Sequence, residues 1–166
     1  HTSLPVVNKT KAQLNNLELI PFKSAIANGI EVIMVAHLAL PNVTGNYEPS
    51  SLSKTIISDL LRNELGFKGV VITDDLGMGA LDNYTTEQIC KMAINAKVDM
   101  LLTGGNQLTY FNTIKSLVER GEISESTIDE AVTRIITLKQ NSNLNTMADK
   151  SVIGSSKHQA VINKIG

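Results

Sequence analysis

Two adjacent carboxylates, Asp74 and Asp75, follow the apolar run Val70-Val-Ile-Thr73 and precede Leu76-Gly-Met-Gly79. A carboxylate at the end of an apolar strand is costly to bury unless it is paired or hydrogen-bonded. Such a group is therefore a candidate nucleophile or proton carrier. Three readings are open at this point. Asp74 is catalytic, or the aspartates only cap the next helix and brace a turn, or the pair holds Mg²⁺ for phosphoryl transfer. The last reading lacks a partner, because neither GxxxxGK[ST] nor GxGxxG occurs. Thr103-Gly-Gly-Asn106 is weak evidence for a phosphate cradle.

The other candidate groups divide quickly. His37 closes the run Glu31-Val-Ile-Met-Val-Ala-His37, where a hydrogen-bonded core histidine and a site-lining one are equal readings. His158 lies in a polar tail and reads as solvated, and His1 carries no signal of its own. No HExxH or Cys/His spacing supports a zinc site. Cys90 is the single cysteine, which excludes an internal disulfide and a CxxC pair, and its helical setting points to packing.

These groups need elements to hold them, and the chain alternates helical and strand-like patterns. Asn16–Asn28 carries Leu19, Phe22 and Ile26 on one helical face, with Pro21 in the first turn and Gly29 as the stop. Glu31–His37, Val70–Asp74 and Met100–Gly104 are short apolar runs of the kind buried on both faces of a parallel sheet. Between them, Pro41–Pro49 reads as a loop. Ser50–Leu65 reads as a helix stopped by Gly66, and Thr85 with Gln88 forms a capping box opening a helix to Lys97. Leu108–Arg120 and Ser124–Lys139 complete the helices, and the polar stretch Asn141–Asn145 reads as a linker. Strand starts near 32, 70 and 100 have the repeat of βα units, so the fold class is α/β with a parallel sheet.

Composition narrows the function. The chain has 166 residues, 42 % hydrophobic and 19 % charged, enough to bury a core. Fifteen basic residues stand against 16 acidic ones, for a net charge of −1, which counts against a nucleic-acid binder. No apolar run approaches the roughly 18 residues that span a bilayer. Tryptophan is absent and aromatics are only 4 %, which counts against a stand-alone sugar-binding module built on aromatic platforms.

The segment VVITDDLGMGAL resembles the nucleophile segment of glycoside hydrolase family 3, in its bacterial β-N-acetylglucosaminidase branch. The similarity continues on both sides in the family's order. His1-Thr-Ser-Leu-Pro5 is similar to the end of a D-S-H-x-x-L-P loop. LIPFKSAIANGIEVIMVAH, SLSKTIISDLLRNELGFKGV and GEISESTIDEAVTRIITLK follow. Together these cover the chain from His1 to about Lys139.

The resemblance implies the second half of a (β/α)8 TIM barrel, with three parallel strands and their flanking helices. Residues 1–140 would be barrel, 141–150 a linker, and 151–166 the start of a second α/β domain. It also implies an enzyme, a retaining β-N-acetylhexosaminidase that needs no metal or organic cofactor. Its substrates would be saccharides ending in N-acetylglucosamine, such as peptidoglycan fragments. Asp74 matches the nucleophile, His1 the acid/base, and Asp75 a supporting residue; His37 and Met78 match positions near the sugar. The aspartate that pairs with the acid/base histidine would precede His1, as would the K-H-F-P-G-H-G segment of the family.

A (β/α)8 barrel typically needs about 250 residues. The expectation is therefore that this polypeptide alone is inactive and stays soluble only with the other half of the barrel or by self-association. Bacterial cytoplasm and cell envelope both remain open as locations. Two other classes compete with the hydrolase: the Mg²⁺-dependent phosphoryl-transfer enzyme, and a non-catalytic saccharide-binding module.

Overall fold

The computed structural model describes residues 2–142 and 150–165. Its centre is a parallel pair of strands, β1 (Val32–Val35) and β2 (Val70–Thr73), in the register Val32↔Val70 through Val35↔Thr73. Both lie inside the runs that sequence patterning singled out. Helices α1 (Lys11–Asn16) and α2 (Leu19–Ala27) precede β1, and a short helix, α3 (Pro41–Thr44), follows it. The chain then winds through a 3-10 turn at Ser50–Leu52 and a π-helix at Thr55–Glu64 before entering β2. After β2 come α4 (Thr86–Asn95), α5 (Gln107–Glu119) and α6 (Glu125–Asn141), then α7 (Ser156–Ile165).

Local chemistry explains most boundaries. Thr85 accepts the Gln88 amide while the Gln88 side chain returns to the Thr85 amide, so the expected capping box opens α4. Thr10 and Gln13 make the same reciprocal pair ahead of α1, a helix that apolar periodicity did not reveal. Gly66 and Gly121 take φ of +76° and +71° directly after their helices, a backbone that a side chain disfavours.

Three expectations need correction. The loop expected at Pro41–Pro49 contains α3, started by Pro41 at its first turn and stopped at Gly45. The single helix expected over Ser50–Leu65 is two pieces, with Ser53 extended between them. Its apolar face is as read, because Ile56, Ile57, Leu60 and Leu61 are all buried. The third strand, Met100–Gly104, is reduced to one parallel bridge, Ile72↔Met100. The cause is visible in the hydrogen bonds: the Leu102 N–H donates to the Thr73 hydroxyl (3.0 Å) instead of a main-chain carbonyl. The segment still runs beside β2, since the Thr73 N–H reaches Met100 O at 3.1 Å and the Leu76 N–H reaches Leu102 O at 3.0 Å.

The two faces of the sheet differ sharply. Ile33, Val35 and Val71 are buried against the helices, in a core with Ile57, Leu61, Phe67, Ile89 and Ala93. On the opposite face Val32 and Met34 are 40 % and 52 % exposed, and Met100 and Leu102 are each 37 % exposed. An apolar strand face left open in this way is what a closed barrel would cover with side chains from its remaining strands. A second cluster of Cys90, Ile94, Leu117 and Ile123 ties α4 and α5 together. Helix α7 leaves Val161, Ile162 and Ile165 exposed. The expected linker, 141–150, falls largely on residues 143–149, outside the described residues.

At the amino end of the strands lies a buried ionic network. Both Asp99 carboxylate oxygens are occupied: Oδ2 accepts from Arg62 (2.7 Å) and the Val71 N–H (2.8 Å), and Oδ1 accepts from Arg134 Nε (2.8 Å). The Arg62 guanidinium also donates to Lys97 O and Gly69 O. Burial draws the Arg62 guanidinium below its ordinary value, and the Asp99 charge opposes that shift. The network clamps the end of the sheet remote from Asp74 and Asp75.

Candidate active site

Asp74 directly continues the β2 ladder, its N–H donating to Val35 O at 3.0 Å. Alternation along a strand places it on the face of Val70 and Ile72, which is also that of Val32 and Met34 across the sheet. That face is open at Val32 and Met34, while Val70 on it is 1 % exposed. The Asp74 side chain is half-buried, and its Oδ1 accepts the Asp75 N–H at 2.9 Å. Among the described residues, Oδ2 has no hydrogen-bond partner. A half-buried carboxylate with one oxygen fixed and the other without a partner among the described residues has the chemistry that a nucleophile needs.

Asp75 is organised differently. Its Oδ1 accepts the Gly77 N–H (2.9 Å) and the Gly104 N–H (3.3 Å), so the carboxylate joins the loop after β2 to the loop after Leu102. At both donors a side chain would crowd the carboxylate. A Cβ on Gly77 would lie 3.3 Å from Asp75 Oδ1, and one on Gly104 would lie 3.2 Å from Oδ2. The Asp75 carbonyl accepts twice more, from the Met78 N–H (3.1 Å) and from His37 Nε2 (3.0 Å). Of the Gly-Gly pair that sequence reading weighed as a phosphate approach, Gly104 thus serves here as a contact for Asp75.

His37 is 4 % exposed, and its Nδ1 lies 2.6 Å from the hydroxyl of the fully buried Ser51. Both ring nitrogens are satisfied inside the protein, so a sugar hydroxyl would have to displace one of these bonds. Met78 is half-buried at the head of the 3-10 turn Gly79–Leu81, four residues after Asp74. His1 lies outside the described residues. Pro5, four residues later, is fixed to the carboxyl end of β1, where the Ala39 N–H donates to Pro5 O at 2.8 Å and the Val7 N–H donates to Ala39 O at 2.9 Å.

Among the described residues no group of three or more His, Cys, Asp and Glu side chains could hold a metal ion. Cys90 is fully buried, and burial pushes its thiol up to about 11, away from nucleophilic duty. Sequence reading missed Ser51 and the Asp75–Gly104 contact. The only advance signal for the latter was a glycine pair one strand away from a carboxylate.

Comparison with known proteins places this geometry. Residues 1–138 match the glycosyl hydrolase family 3 N-terminal domain. A β-N-acetylglucosaminidase of that family from Paenibacillus sp. str. FPU-7 superposes with a TM-score of 0.85 at 36 % identity, over 94 % of this chain and 30 % of that one. An uncharacterised secreted glycosyl hydrolase of Arthroderma benhamiae is 32 % identical over 132 residues, covering 76 % of this chain and 37 % of the relative. A β-N-acetylglucosaminidase/β-glucosidase of Cellulomonas fimi is 29 % identical over 162 residues, covering 88 % of this chain and 29 % of the relative. The chain thus spans about a third of the length of these proteins. The sheet and helices described above form part of a TIM-barrel-like α/β fold, and the chain belongs to glycosyl hydrolase family 3.

Proposed function

We propose that the protein carrying this chain is a retaining β-N-acetylhexosaminidase with Asp74 as its nucleophile. The observation that carries this reading is the Oδ2 of Asp74, without a partner among the described residues, at the carboxyl end of β2, the end where barrel enzymes place their chemistry. Asp74 attacks the anomeric carbon of a terminal β-linked N-acetylglucosamine, and the bond from that carbon to the leaving oxygen breaks. A general acid gives the leaving oxygen its proton. The same group then takes a proton from water, which attacks the anomeric carbon and frees Asp74, so two inversions give net retention.

In this reading His1 is the acid/base. An imidazole with an ordinary pKa near 6.5 can both give and recover a proton at neutral pH. The fixed position of Pro5 at the same end of the sheet supports that role. Asp75 holds the turn, and Met78 lines the sugar site. Neither metal nor organic cofactor takes part. Residues 1–140 belong to the barrel and 151–166 begin a second domain. N-acetylglucosamine-terminated fragments of a bacterial peptidoglycan are the proposed substrates. The relatives named as β-N-acetylglucosaminidases support the sugar class. The polypeptide of residues 1–166 by itself is inactive, because Val32, Met34, Met100 and Leu102 on the strand face stay exposed among the described residues.

The experiment is mutation of Asp74 in the intact protein, assayed on an aryl β-N-acetylglucosaminide and on the corresponding β-glucoside. Asp74→Ala should abolish turnover and remove the glycosyl adduct seen by intact mass in the parent. An adduct that persists in Asp74→Ala would take the nucleophile role away from Asp74. A parent protein that cleaves only the β-glucoside would overturn the N-acetyl specificity.

A further inference from the structure

We propose that His37 is a positioning residue, whose buried ring fixes the main chain behind the nucleophile; the proposal rests on the reading of Asp74 given above. A carbonyl oxygen can only accept, so the 3.0 Å contact to Asp75 O requires the proton on Nε2 of His37. In the neutral ring Nδ1 then accepts the Ser51 hydroxyl proton at 2.6 Å, which sets both the tautomer and the ring plane. The ring is 4 % exposed and Ser51 is fully buried, so the Nδ1 bond is shielded from water, and the Nε2 bond is partly so.

The consequence falls on a single N–H. Asp75 is held at its carbonyl by His37 and the Met78 amide, and at its carboxylate by the amides of Gly77 and Gly104. Its remaining polar group, the N–H, is the donor to Asp74 Oδ1 at 2.9 Å. Fixing the carbonyl of a residue limits the rotation that would carry its N–H away. The Ser51–His37–Asp75 chain therefore aims that donor at Oδ1 of Asp74 and leaves Oδ2 without a partner among the described residues. His37 acts through Asp75 and makes no direct contact with the reacting atoms.

Paired variants of the intact protein separate the two ring contacts. In His37→Gln a side-chain amide N–H reaches the place of Nε2 and keeps the donor to Asp75, whereas His37→Asn keeps a polar atom near Ser51 and loses that donor. Hydrogen exchange of the 74–81 amides reads the bracket without reference to any substrate. Turnover of an aryl β-N-acetylglucosaminide reads its effect on chemistry. For His37→Asn we expect exchange of 74–81 to rise about tenfold. Its kcat should fall roughly 10- to 100-fold, with KM within about threefold of the parent. His37→Gln should recover most of both losses. Ser51→Ala, a smaller change, should move both readouts in the same direction and tests the idea if His37→Asn fails to fold. Unchanged exchange in His37→Asn and Ser51→Ala would overturn the proposal. A loss confined to KM would do so too, since it would mean that His37 grips the sugar. A parent protein that turns over no aryl glycoside would instead sink the hydrolase reading, and the exchange result would still decide whether the bracket exists.

Discussion

The carboxylate of Asp75 accepts the N–H of Gly104 at 3.3 Å, 29 residues along the chain, and so ties the loop after β2 to the loop after the next strand segment. Asp74 adjoins this tie, since its Oδ1 accepts the Asp75 N–H at 2.9 Å. Replacing Asp75 by Ala frees the Gly77 and Gly104 amides, which lie at the surface and can bind water. The stability cost should therefore be modest, about 1 kcal/mol. With Asp74 as the proposed nucleophile, the kinetic cost should be larger, roughly 100-fold in kcat of the intact protein, because small displacements of a reacting group are expensive. Asp75→Asn keeps an accepting oxygen and should recover much of the loss. Steady-state kinetics and urea melts on the three proteins would decide the matter. Equal losses in both variants would show that the charge, and not the tie, is what counts.

Gly69 stands where the chain enters β2, and a Cβ there would lie 2.2 Å from the Glu31 carbonyl oxygen. That oxygen accepts the Val70 N–H at 2.9 Å, the first bond of the β1/β2 pair. The obstacle is backbone, so it cannot swing aside as a flexible side chain would. Gly69→Ala should destabilise by about 1–3 kcal/mol, the usual range for overpacking. It should do so with no effect on KM, because the change is at the end of the sheet remote from Asp74. A urea midpoint within error of the parent would contradict the packing seen here.

The ionic network at that same end gives the largest expected loss. The Asp99 side chain is fully buried and the Arg62 side chain only 11 % exposed. Deleting the carboxylate in Asp99→Ala leaves Arg62 with an uncompensated charge, which typically costs about 3–5 kcal/mol. Asp99→Asn keeps an acceptor for the Val71 N–H and should lose less. Chemical denaturation of the intact protein measures both. If Asp99→Ala proves as stable as the parent, the network contributes nothing that water does not replace.

The parts of this architecture that could be read from sequence are those whose signals are local. Branched apolar runs located β1 and β2, the Thr85/Gln88 pair located the start of α4, and the residues before Leu76 located the candidate nucleophile. What escaped depends on groups far apart in the chain. Arg62 and Arg134 meet Asp99 across 37 and 35 residues, and no periodicity links those positions. Ser51 reaches His37 across 14 residues and Asp75 O reaches it across 38, and these two bonds make it a buried, hydrogen-bonded histidine and not an open site-lining one. The third strand was legible as an apolar run, but its pairing was not. A single hydroxyl, on Thr73, takes the N–H that a longer ladder would have used. Helix α1 was legible in principle, because Thr10-Lys-Ala-Gln13 has the reciprocal capping pattern; with only Leu14 buried, it lacks the apolar stripe that usually draws attention.

Alkaline pH supplies the last test, through Cys90. Burial lifts its thiol from an ordinary value near 9 to about 11 in the folded protein. Below about pH 9 the thiol is protonated in both states and contributes no pH dependence. Between about 9 and 11 the unfolded chain releases the proton while the folded chain holds it, so stability falls as pH rises. A difference of about two units corresponds to a ceiling near 3 kcal/mol by pH 11. Tyr84 and Tyr110, also raised by burial, add a decline of the same sign that begins near pH 10. Cys90→Ala removes the thiol term and leaves the tyrosines, at the cost of a small cavity beside Ile94 and Leu117. Urea midpoints of the intact protein at pH 8 and pH 10 should therefore drop further for the parent than for Cys90→Ala. The comparison within each protein cancels the cavity. Parallel drops in the two proteins would mean that Cys90 ionises as readily in the fold as in the open chain, contrary to its burial.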